Sequence, residues 1–358
     1  MAEHADVVVI GGGVMGLAAA RALAQAGRAV TVLERLAIGH PSGSSHGSAR
    51  IFRLAYPDPV FVRMGREARV LWDEVSDGYG HPLIRETGEI SVGADLERLA
   101  ASMRAGGAQI DVVTPDAVTE RFPALRFEGM DWAIFEPGAG VISAARALEA
   151  FRRGAVEGGA IIREETPVTS LRVDGDDVVL TTADAQVRAR VAVVAAGSWS
   201  RALLAGASID LPTFTRVETV GFFDGPGGDL PVILEWGDPA ITYMLPTPEG
   251  HLKAAEHLGG PRRDPDEPGP PDVDSMTRIG SWLRSRVPDA SPEALYGETC
   301  LYTMTDDERF IIERHGPIIV ASACSGHGFK FAPWVGARVA SLALGHDGRA
   351  ESPGRASR

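Results

Sequence analysis

The chain has 358 residues, of which 44% are hydrophobic and 23% are charged. These fractions are those of ordinary globular proteins and exclude a fibrous or largely disordered chain, and the length allows two domains. The net charge of −13 argues against nucleic acid and anionic membrane surfaces as main partners, because both are bound through clustered lysine and arginine.

The two cysteines, Cys300 and Cys324, are too few for a disulfide framework and fit a reducing compartment. The apolar stretch Val7–Ala24 follows acidic residues where a signal peptide needs basic ones. No run reaches the roughly 18 apolar residues of a membrane span. We therefore expect a cytoplasmic protein, a monomer or weak oligomer, whose partners are small molecules.

The N-terminal residues predict a strand, a helix and a second strand. The β-branched run Asp6–Ile10 is followed by glycines, by helical periodicity over Val14–Ala26 and by the run Ala29–Leu33. The nearly continuous hydrophobicity of both runs is typical of parallel strands buried on both faces. Further helices are predicted at Pro59–Val75 and Ala145–Glu157. This layer is expected to resume with a buried strand, Val191–Ala196, which ends at Gly197.

Other segments alternate between apolar and polar residues, as strands of a more exposed antiparallel sheet do. Glu89–Val92 and Arg216–Phe223 are the clearest examples, and they predict a second domain inserted into the first. Pro261–Pro271 is rich in Pro, Asp and Arg and predicts a surface loop. The chain is expected to close with a strand at Pro317–Ala323, a helix at Val335–Leu344 and a frayed tail after Gly345.

A glycine fingerprint lies between the first strand and the first helix. Gly11, Gly13 and Gly16 match G-x-G-x-x-G, and Glu34 ends the next strand. Gly11 would permit the tight turn, Gly13 the approach of a pyrophosphate to the helix N-terminus, and Gly16 close packing of helix on strand. Glu34 would accept hydrogen bonds from the ribose hydroxyls. FAD and NAD both bind such a unit, so the fingerprint alone leaves the cofactor open.

A polar loop from Ser44 to Arg53 follows, with His46 and two arginines three residues apart, Arg50 and Arg53. Arginine presents a planar fork to oxyanions, so the loop could hold a phosphate, a flavin carbonyl or a substrate carboxylate. On composition alone a solvated surface turn is an equally good interpretation.

Several motifs, in the same order along nearly the whole chain, resemble one family. They are the fingerprint, SSHGSARIFR at 44–53, Ile134–Pro137 with Gly140-Val141, Cys300–Thr303, and SGHGFKF at 325–331. Together they resemble monomeric sarcosine oxidase and N-methyltryptophan oxidase, of the D-amino acid oxidase and glycine oxidase superfamily. The SGHGFKF block, with a cysteine about 25 to 30 residues earlier, is far more specific than a nucleotide fingerprint.

The resemblance implies an α/β fold: an FAD-binding Rossmann-type, glutathione-reductase-like domain (1–85, 140–215 and 300–358) with an inserted antiparallel-sheet substrate domain (86–139 and 216–299). It also implies FAD bound covalently through Cys300. Cys324 is the rival thiol, since it departs from the family pattern. The expected cofactor-binding residues are Gly11, Gly13, Val14, Met15, Gly16, Glu34, Arg35, Ser44, His46, Arg50, Gly197, Trp199, Cys300, Gly326, Gly328, Phe329 and Lys330.

The resemblance further implies an amine oxidase of secondary amino acids, with hydride transfer to flavin N5, an imine product and hydrogen peroxide formed from O2. Arg53 and Lys330 match residues that hold the substrate carboxylate. Lys253 matches the lysine that promotes oxygen reduction. His257, Tyr243 and Tyr302 match further catalytic-site residues. No Cys or His spacing suggests a metal site.

Three other functions remain open on the sequence. A cyclic amine or imine oxidase of a secondary-metabolite pathway would share the covalent flavin; Ile233 and Trp236 indicate a pocket unlike that of a strict sarcosine enzyme. A nicotinamide-linked dehydrogenase would leave Cys300 and SGHGFKF unexplained. A non-enzymatic flavoprotein is disfavoured by the pairing of Arg53 with Lys330.

Overall fold

The computed structural model describes residues 3–226, 229–237 and 240–346. Up to residue 160 the elements are β1 (Glu3–Ile10), α1 (Val14–Gln25), β2 (Val30–Leu33), β3 (Ala49–Phe52), α2 (Pro59–Tyr79), β4 (Ile84–Glu86), β5 (Glu89–Gly93), α3 (Leu96–Ala105), β6 (Asp111–Val113), α4 (Pro115–Arg121), β7 (Ala133–Glu136), β8 (Gly140–Ser143) and α5 (Ala144–Glu157). The remainder are β9 (Ile161–Arg163), β10 (Ser170–Asp174), β11 (Asp177–Thr181), β12 (Gln186–Val194), α6 (Ser200–Ala205), β13 (Phe214–Phe223), β14 (Val232–Trp236), β15 (Ile241–Pro246), β16 (Leu252–His257), α7 (Val273–Arg286), β17 (Ala294–Met304), β18 (Ile311–His315), β19 (Ile318–Ser322) and α8 (Ala332–Ala343), with 3₁₀ turns at Gly197–Trp199 and Phe329–Phe331.

The first sheet is built on the predicted parallel core. Its strand order is β10-β11-β12-β1-β2-β9, with β19 beside β12 and β18 beside β19. β1 runs parallel to both β12 and β2. Val7 and Val9 pack into the helical layer on one face, while Val8 packs into the apolar cluster on the other. Burial on both faces explains why this strand has no polar alternation.

The second sheet is mixed, which corrects the expectation of an antiparallel one. Its order is β17-β13-β16-β15-β14-β5-β7-β6, and β14 runs parallel to β5 while the other neighbours are antiparallel. β5 and β14 come from different stretches of the chain, so no hairpin fixes their relative direction. A small third sheet has the order β3-β8-β4.

Most predicted elements are confirmed, with shifts at their ends. α2 continues for one turn past Val75 to Tyr79 and ends at Gly80, whose φ of 87° is left-handed. α8 begins at Ala332, three residues early, because Pro333 fits the first turn of a helix. The predicted tail from residue 347 onward lies outside the described residues.

β17 forms one edge of the second sheet. β17 pairs with β13 from Phe214–Met304 to Phe223–Ala294, so the expected domain boundary at residue 300 falls inside a strand of the second sheet. The predicted loop Pro261–Pro271 is confirmed as a surface segment between β16 and α7. Within the described ranges, no helix combines the length and the apolar character needed to cross a membrane.

Candidate active site

The predicted glycine turn has the geometry that its residues require. Gly11 has a φ of +105°, a left-handed conformation that glycine adopts without strain, and a side chain there would approach the Ala195 carbonyl oxygen to 2.6 Å. At Gly16 a Cβ would overlap the Gly11 carbonyl oxygen. α1 can therefore begin directly against the strand end, and a helix N-terminus at this place suits an anion.

Glu34, the acidic residue directly after β2, forms a hydrogen bond to the glycine turn. Glu34 is 5% exposed; its Oε2 accepts a hydrogen bond from the Gly12 N–H at 2.5 Å and its Oε1 accepts one from Leu36 N–H at 2.9 Å. Arg35 lies above the Trp199 ring at 4.3 Å. These side chains form one end of a long cavity.

That cavity has a volume of about 440 Å³ and runs from the glycine turn along the carboxyl ends of the parallel strands. Its walls include these predicted cofactor residues: Gly11, Gly13, Val14, Met15, Glu34, Arg35, Ser44, His46, Gly197, Trp199 and Phe329. Gly16 lies beneath the turn and is a packing residue. A cleft at the strand ends of a parallel sheet is where such folds bind nucleotides.

A second cavity of about 110 Å³ continues from the first and shares Ser44, Cys324 and Phe329 with it. The remaining predicted site residues line this second cavity: Arg50, Arg53, Tyr243, Lys253, His257, Cys300, Tyr302, Gly326, Gly328 and Lys330. The two cavities together form one path from the helix N-terminus to Cys300.

The polar loop before β3 is an ordered part of this path and not a solvated turn. Arg50 donates to the carbonyl oxygens of Ser44 at 3.0 Å and His46 at 2.6 Å. Ser44 Oγ donates to Leu301 O at 2.6 Å. Burial, then the charges of Arg50 and Lys253, lower the pKa of His46 to about 4, so this histidine is neutral near pH 7.

Strand register brings the predicted site residues onto one face of the second sheet. Glu218 pairs with Cys300, and Phe222, four residues further along β13, pairs with Lys253. Side chains alternate along a strand, so residues an even number apart share a face. Cys300, Tyr302, Lys253 and His257 therefore all face the second cavity.

Ile233 is not a pocket residue, which corrects the sequence-based expectation. It is fully buried in the apolar cluster beneath α7, on the far face of the sheet. Leu234, its neighbour in β14, lines the second cavity instead. The reversal follows from the two-residue period of the strand. Trp236 lies on the cavity face, with its ring 5.7 Å from the Arg53 guanidinium carbon.

Both cysteines are free and half-buried, and both line the second cavity. Burial raises the pKa of the Cys300 thiol, and the charges of Arg50 and Lys253 partly offset this. Cys324 Sγ lies 3.4 Å from the Thr303 amide nitrogen. The two thiols therefore line the same cavity.

Lys253 is 6% exposed and donates to the Ala49 carbonyl oxygen at 3.1 Å. Burial, reinforced by the charge of Arg50, lowers the pKa of Lys253 to about 7. When protonated, a lysine amine with few partners in a low-dielectric wall produces a strong local positive potential.

Arg53 and Lys330 converge across the second cavity from Lys253. Arg53 stacks on the Tyr56 ring at 4.4 Å. Lys330, 4% exposed, donates to Tyr56 Oη and to the His327 carbonyl oxygen, both at 2.8 Å. Burial and the neighbouring Arg53 hold the pKa of Lys330 well below its usual range. Two buried cations 277 positions apart in sequence form a site for a carboxylate.

The aromatic wall of this cavity is formed by Tyr243 and Tyr302. Burial raises the pKa of Tyr243 to about 12 and that of Tyr302 well above its usual value, so both are neutral hydroxyl donors. His257 lies 5.7 Å from Tyr302, ring to ring, and its Nε2 lies 3.5 Å from Glu308 Oε2.

The sequence did not indicate several residues that complete the site. Ser45, and not Ser44, contacts the α1 N-terminus, where its Oγ accepts from Val14 N–H at 3.0 Å. Tyr56 links the two cations. The buried pair Glu89 and Glu136 lies behind them. Ser45 and Glu136 carried a signal, since each belongs to one of the family-like motifs, whereas Tyr56 and Glu89 do not.

The residues present fit a dinucleotide with a ring system at its far end. The glycine turn and helix N-terminus suit a pyrophosphate, Glu34 suits a ribose, and the path ends at a thiol. Among the described residues there is no group of three metal-ligating side chains.

Comparisons with known proteins agree with this geometry. Residues 6–342 match a family described as FAD dependent oxidoreductase. The chain is 32% identical to monomeric sarcosine oxidase of Bacillus sp. (strain B-0618), over 96% of this chain and 93% of that protein. It is 29% identical to N-methyl-L-tryptophan oxidase of Yersinia pestis (strain Pestoides F), over 94% of each. It superposes on NikD, an unusual amino acid oxidase essential for nikkomycin biosynthesis, with a TM-score of 0.87 and 27% identity, covering 96% and 94% of the two chains.

Proposed function

The chain belongs to the FAD-dependent oxidoreductase family, and on that premise we propose that it oxidises secondary amino acids, N-methylated or cyclic, to imines with release of hydrogen peroxide. The observation that carries this proposal is that Arg53, Lys330, Cys300 and Lys253 all line one small cavity. Arg53 and Lys330 suit a carboxylate, and Cys300 lies at the end of the path that suits FAD.

Arg53 and Lys330 would hold the substrate carboxylate, which fixes the amine and its carbon neighbours against the ring. FAD, when bound, supplies the two-electron acceptor and passes the electrons to oxygen. Tyr243, Tyr302 and Phe329 close the cavity with neutral rings, so the amine would lie in a site shielded from water, where its uncharged form is favoured. His257, which lines the same cavity, would lie beside the amine.

Lys253 would act on the oxygen side. Its ammonium is fixed by the Ala49 carbonyl and would stabilise the negative charge that develops on oxygen. Cys300 would hold the ring covalently, with Arg50 and His46 fixing the loop next to it. The thiol of Cys324 lies near enough to remain an alternative point of attachment.

A cyclic amine or imine oxidase of a secondary-metabolite pathway is the second candidate. Trp236 favours it, because the indole beside Arg53 provides a flat apolar surface for a ring substrate. The likeness to NikD supports the same choice.

We also propose a cytoplasmic location and a monomeric or weakly associating state. Two free half-buried thiols fit a reducing compartment. The acidic surface implied by a net charge of −13 disfavours self-association.

The test is to purify the protein, confirm bound flavin by its absorbance, and measure peroxide release from sarcosine, N-methyl-L-tryptophan, L-proline and L-pipecolate. Activity with at least one is expected, and Arg53→Met should raise its KM by about 10²-fold or more, the loss of a charge-assisted bond. The matched control is Arg98→Met, an exposed arginine of α3. Peroxide from none of the four, with flavin bound, would contradict the proposal.

A further inference from the structure

Two buried carboxylates lie opposite each other behind the proposed carboxylate site. Glu89 of β5 is the register partner of Glu136 of β7, and they are 0% and 2% exposed. Side chains of directly opposed residues lie on the same face, with Cβ atoms about 4.5–5.5 Å apart. Two acids this close and this buried need an explanation, because ionising both would be strongly unfavourable.

The two carboxylates have different partners. Both oxygens of Glu136 accept from the Leu54 N–H, at 2.9 and 3.0 Å. Glu89 Oε1 accepts from Ser91 Oγ at 2.7 Å, and Ser91 Oγ in turn accepts from Trp236 Nε1 at 2.9 Å. Glu89 Oε2 is buried and has no hydrogen-bond partner within the described part of the chain.

These partners assign the proton. Burial, then the charge of Glu136, raises the pKa of Glu89. Burial also raises the pKa of Glu136, but Leu54 N–H and the cations Arg53 and Lys330 oppose that shift. Glu136 is thus the member that carries the negative charge, and Glu89 is the member that holds the proton.

The pair is tied to the residue that would bind substrate. Arg53 donates through Nη1 to the carbonyl oxygen of Ala55, in the segment that Glu136 holds through Leu54. The Trp236 ring lies 5.7 Å from the same guanidinium, and Trp236 is linked to Glu89 through Ser91. Both carboxylates are therefore connected to Arg53, Glu136 through the backbone and Glu89 through the indole.

We propose that Glu89 and Glu136 carry a single proton, which Glu89 holds, and together form a positioning pair that fixes Arg53 and sets the net charge felt by the substrate carboxylate. This inference rests on the proposed function, since it concerns the same carboxylate site. While Glu89 is protonated, Arg53 and Lys330 outweigh the single charge of Glu136. Loss of that proton adds a second negative charge and weakens the attraction for an anion.

Other titratable groups around the site do not reproduce this behaviour. Burial raises the pKa of Tyr56 to about 12, and burial holds the pKa of His327 well below its usual value, so neither changes charge near pH 7. Glu308 contacts His257 and not the cations. Lys253, whose pKa burial lowers to about 7, and Lys330 both lose charge as pH rises, and burial raises the pKa of Glu218. All three side chains are unchanged in variants of Glu89, so the difference between wild-type protein and variant isolates Glu89.

The experiment measures binding of acetate, a carboxylate with no amine to oxidise, to the flavin-loaded protein between pH 6 and pH 9. The Kd from the flavin absorbance change should rise with pH in the wild-type protein, by up to about tenfold per pH unit where one proton is linked. In Glu89→Gln the amide stays neutral at every pH, so the dependence should shrink to the contribution of the groups that remain, chiefly Lys253 and Lys330. Glu89→Leu is a second variant that cannot titrate.

Glu218→Gln is the matched control. Glu218 is another buried acid of the same sheet face, 1% exposed, but it accepts from Gly260 N–H and lies beside Arg216. This variant should keep the wild-type pH dependence. Calorimetry of acetate binding to the wild-type protein in two buffers of different ionisation enthalpy should show proton uptake, a result that needs no variant.

An acetate Kd that does not change with pH, or a Glu89→Gln variant with the wild-type pH dependence, would overturn the inference. The proposed function fails in a different way, with proton-linked acetate binding intact but no peroxide from any secondary amino acid.

Discussion

Cys300 is the residue at which the path suited to FAD ends. Its thiol pKa is raised by burial, yet Arg50 and Lys253 provide positive charge for the thiolate that any covalent bond requires. In Cys300→Ser we expect FAD to bind and to be released by acid, whereas Cys324→Ser should keep yellow colour in the acid precipitate. Flavin fluorescence of the denatured protein band gives the same readout. Colour retained in Cys300→Ser and lost in Cys324→Ser would assign the attachment to Cys324.

The burial of Lys253 leads us to expect that the rate of reaction of the reduced protein with oxygen depends on pH. Because burial lowers its pKa to about 7, the side chain is charged below that value and neutral above it. The rate at which the photoreduced protein reacts with oxygen should therefore fall as pH rises through about 7. Lys253→Met should be slower by about 10²–10³-fold, the size of a lost electrostatic stabiliser, and independent of pH in this range.

Lys253→Arg is the informative control for this effect, because a guanidinium keeps its charge to high pH. Stopped-flow absorbance of flavin reoxidation would follow all three proteins. A pH dependence that persists in Lys253→Met would attribute it to another group.

The site residues that sequence identified are those whose chemistry is carried locally by a motif: the glycines, Cys300 and Lys330. Tyr56, Glu89 and Glu136 take part through tertiary pairing. Glu89 reads as an ordinary polar position of an alternating strand, and only the folded structure, in which four successive residues of β5 are buried, shows that both faces are covered. No local pattern carries that information.

At the scale of elements, α1 depends on its contact with β1. A methyl group at residue 16 would overlap the Gly11 carbonyl oxygen, a backbone atom that cannot move aside. Gly16→Ala should reduce stability by about 1–3 kcal/mol through overpacking and weaken FAD uptake by the apoprotein. Urea unfolding and fluorescence titration with FAD measure the two effects.

Gly78→Ala is the matched control within a helix. At this position of α2 no described atom lies within 4 Å of the added Cβ, and alanine favours the helix by about 0.4–1 kcal/mol. Equal stability of Gly16→Ala and Gly78→Ala would contradict the packing role of Gly16.

The type of each element could be predicted from hydrophobic periodicity, because the apolar residues that form the pattern in the core strands and amphipathic helices are the residues that are buried. The bounds of α1, β2 and α5 were predicted to within one residue, and β1 ends at Ile10 as predicted but begins three residues earlier, at Glu3. The parallel pairing of β14 with β5 and the position of Ile233 were not predicted, because strand direction and face are fixed by neighbours distant in sequence.

At the scale of the whole molecule, the loop Pro261–Pro271 connects the second sheet to the nucleotide end of the first cavity. Its base is held by hydrogen bonds from Val217 N–H to Pro261 O and from Arg263 N–H to Thr215 O. Near its middle, Asp266 Oδ1 accepts from Trp199 Nε1 at 2.9 Å and from Arg35 at 3.2 Å. The surface loop therefore holds Arg35 and Trp199 in place. These two residues form the wall at the end of the path where the adenosine of FAD would lie.

Asp266→Asn should for this reason loosen cofactor retention without touching the chemistry. The ion pair is 39% and 61% exposed, so its net value is screened to about 0.2–1 kcal/mol, and the Kd for FAD should rise about two- to fivefold. The effect is measurable in a Cys300→Ser background, where FAD is free to exchange, and it should diminish at high salt. Glu267→Gln, one residue away, is the control for a lost surface charge. If both variants weakened FAD binding equally, general electrostatics and not the contact with Arg35 and Trp199 would be responsible.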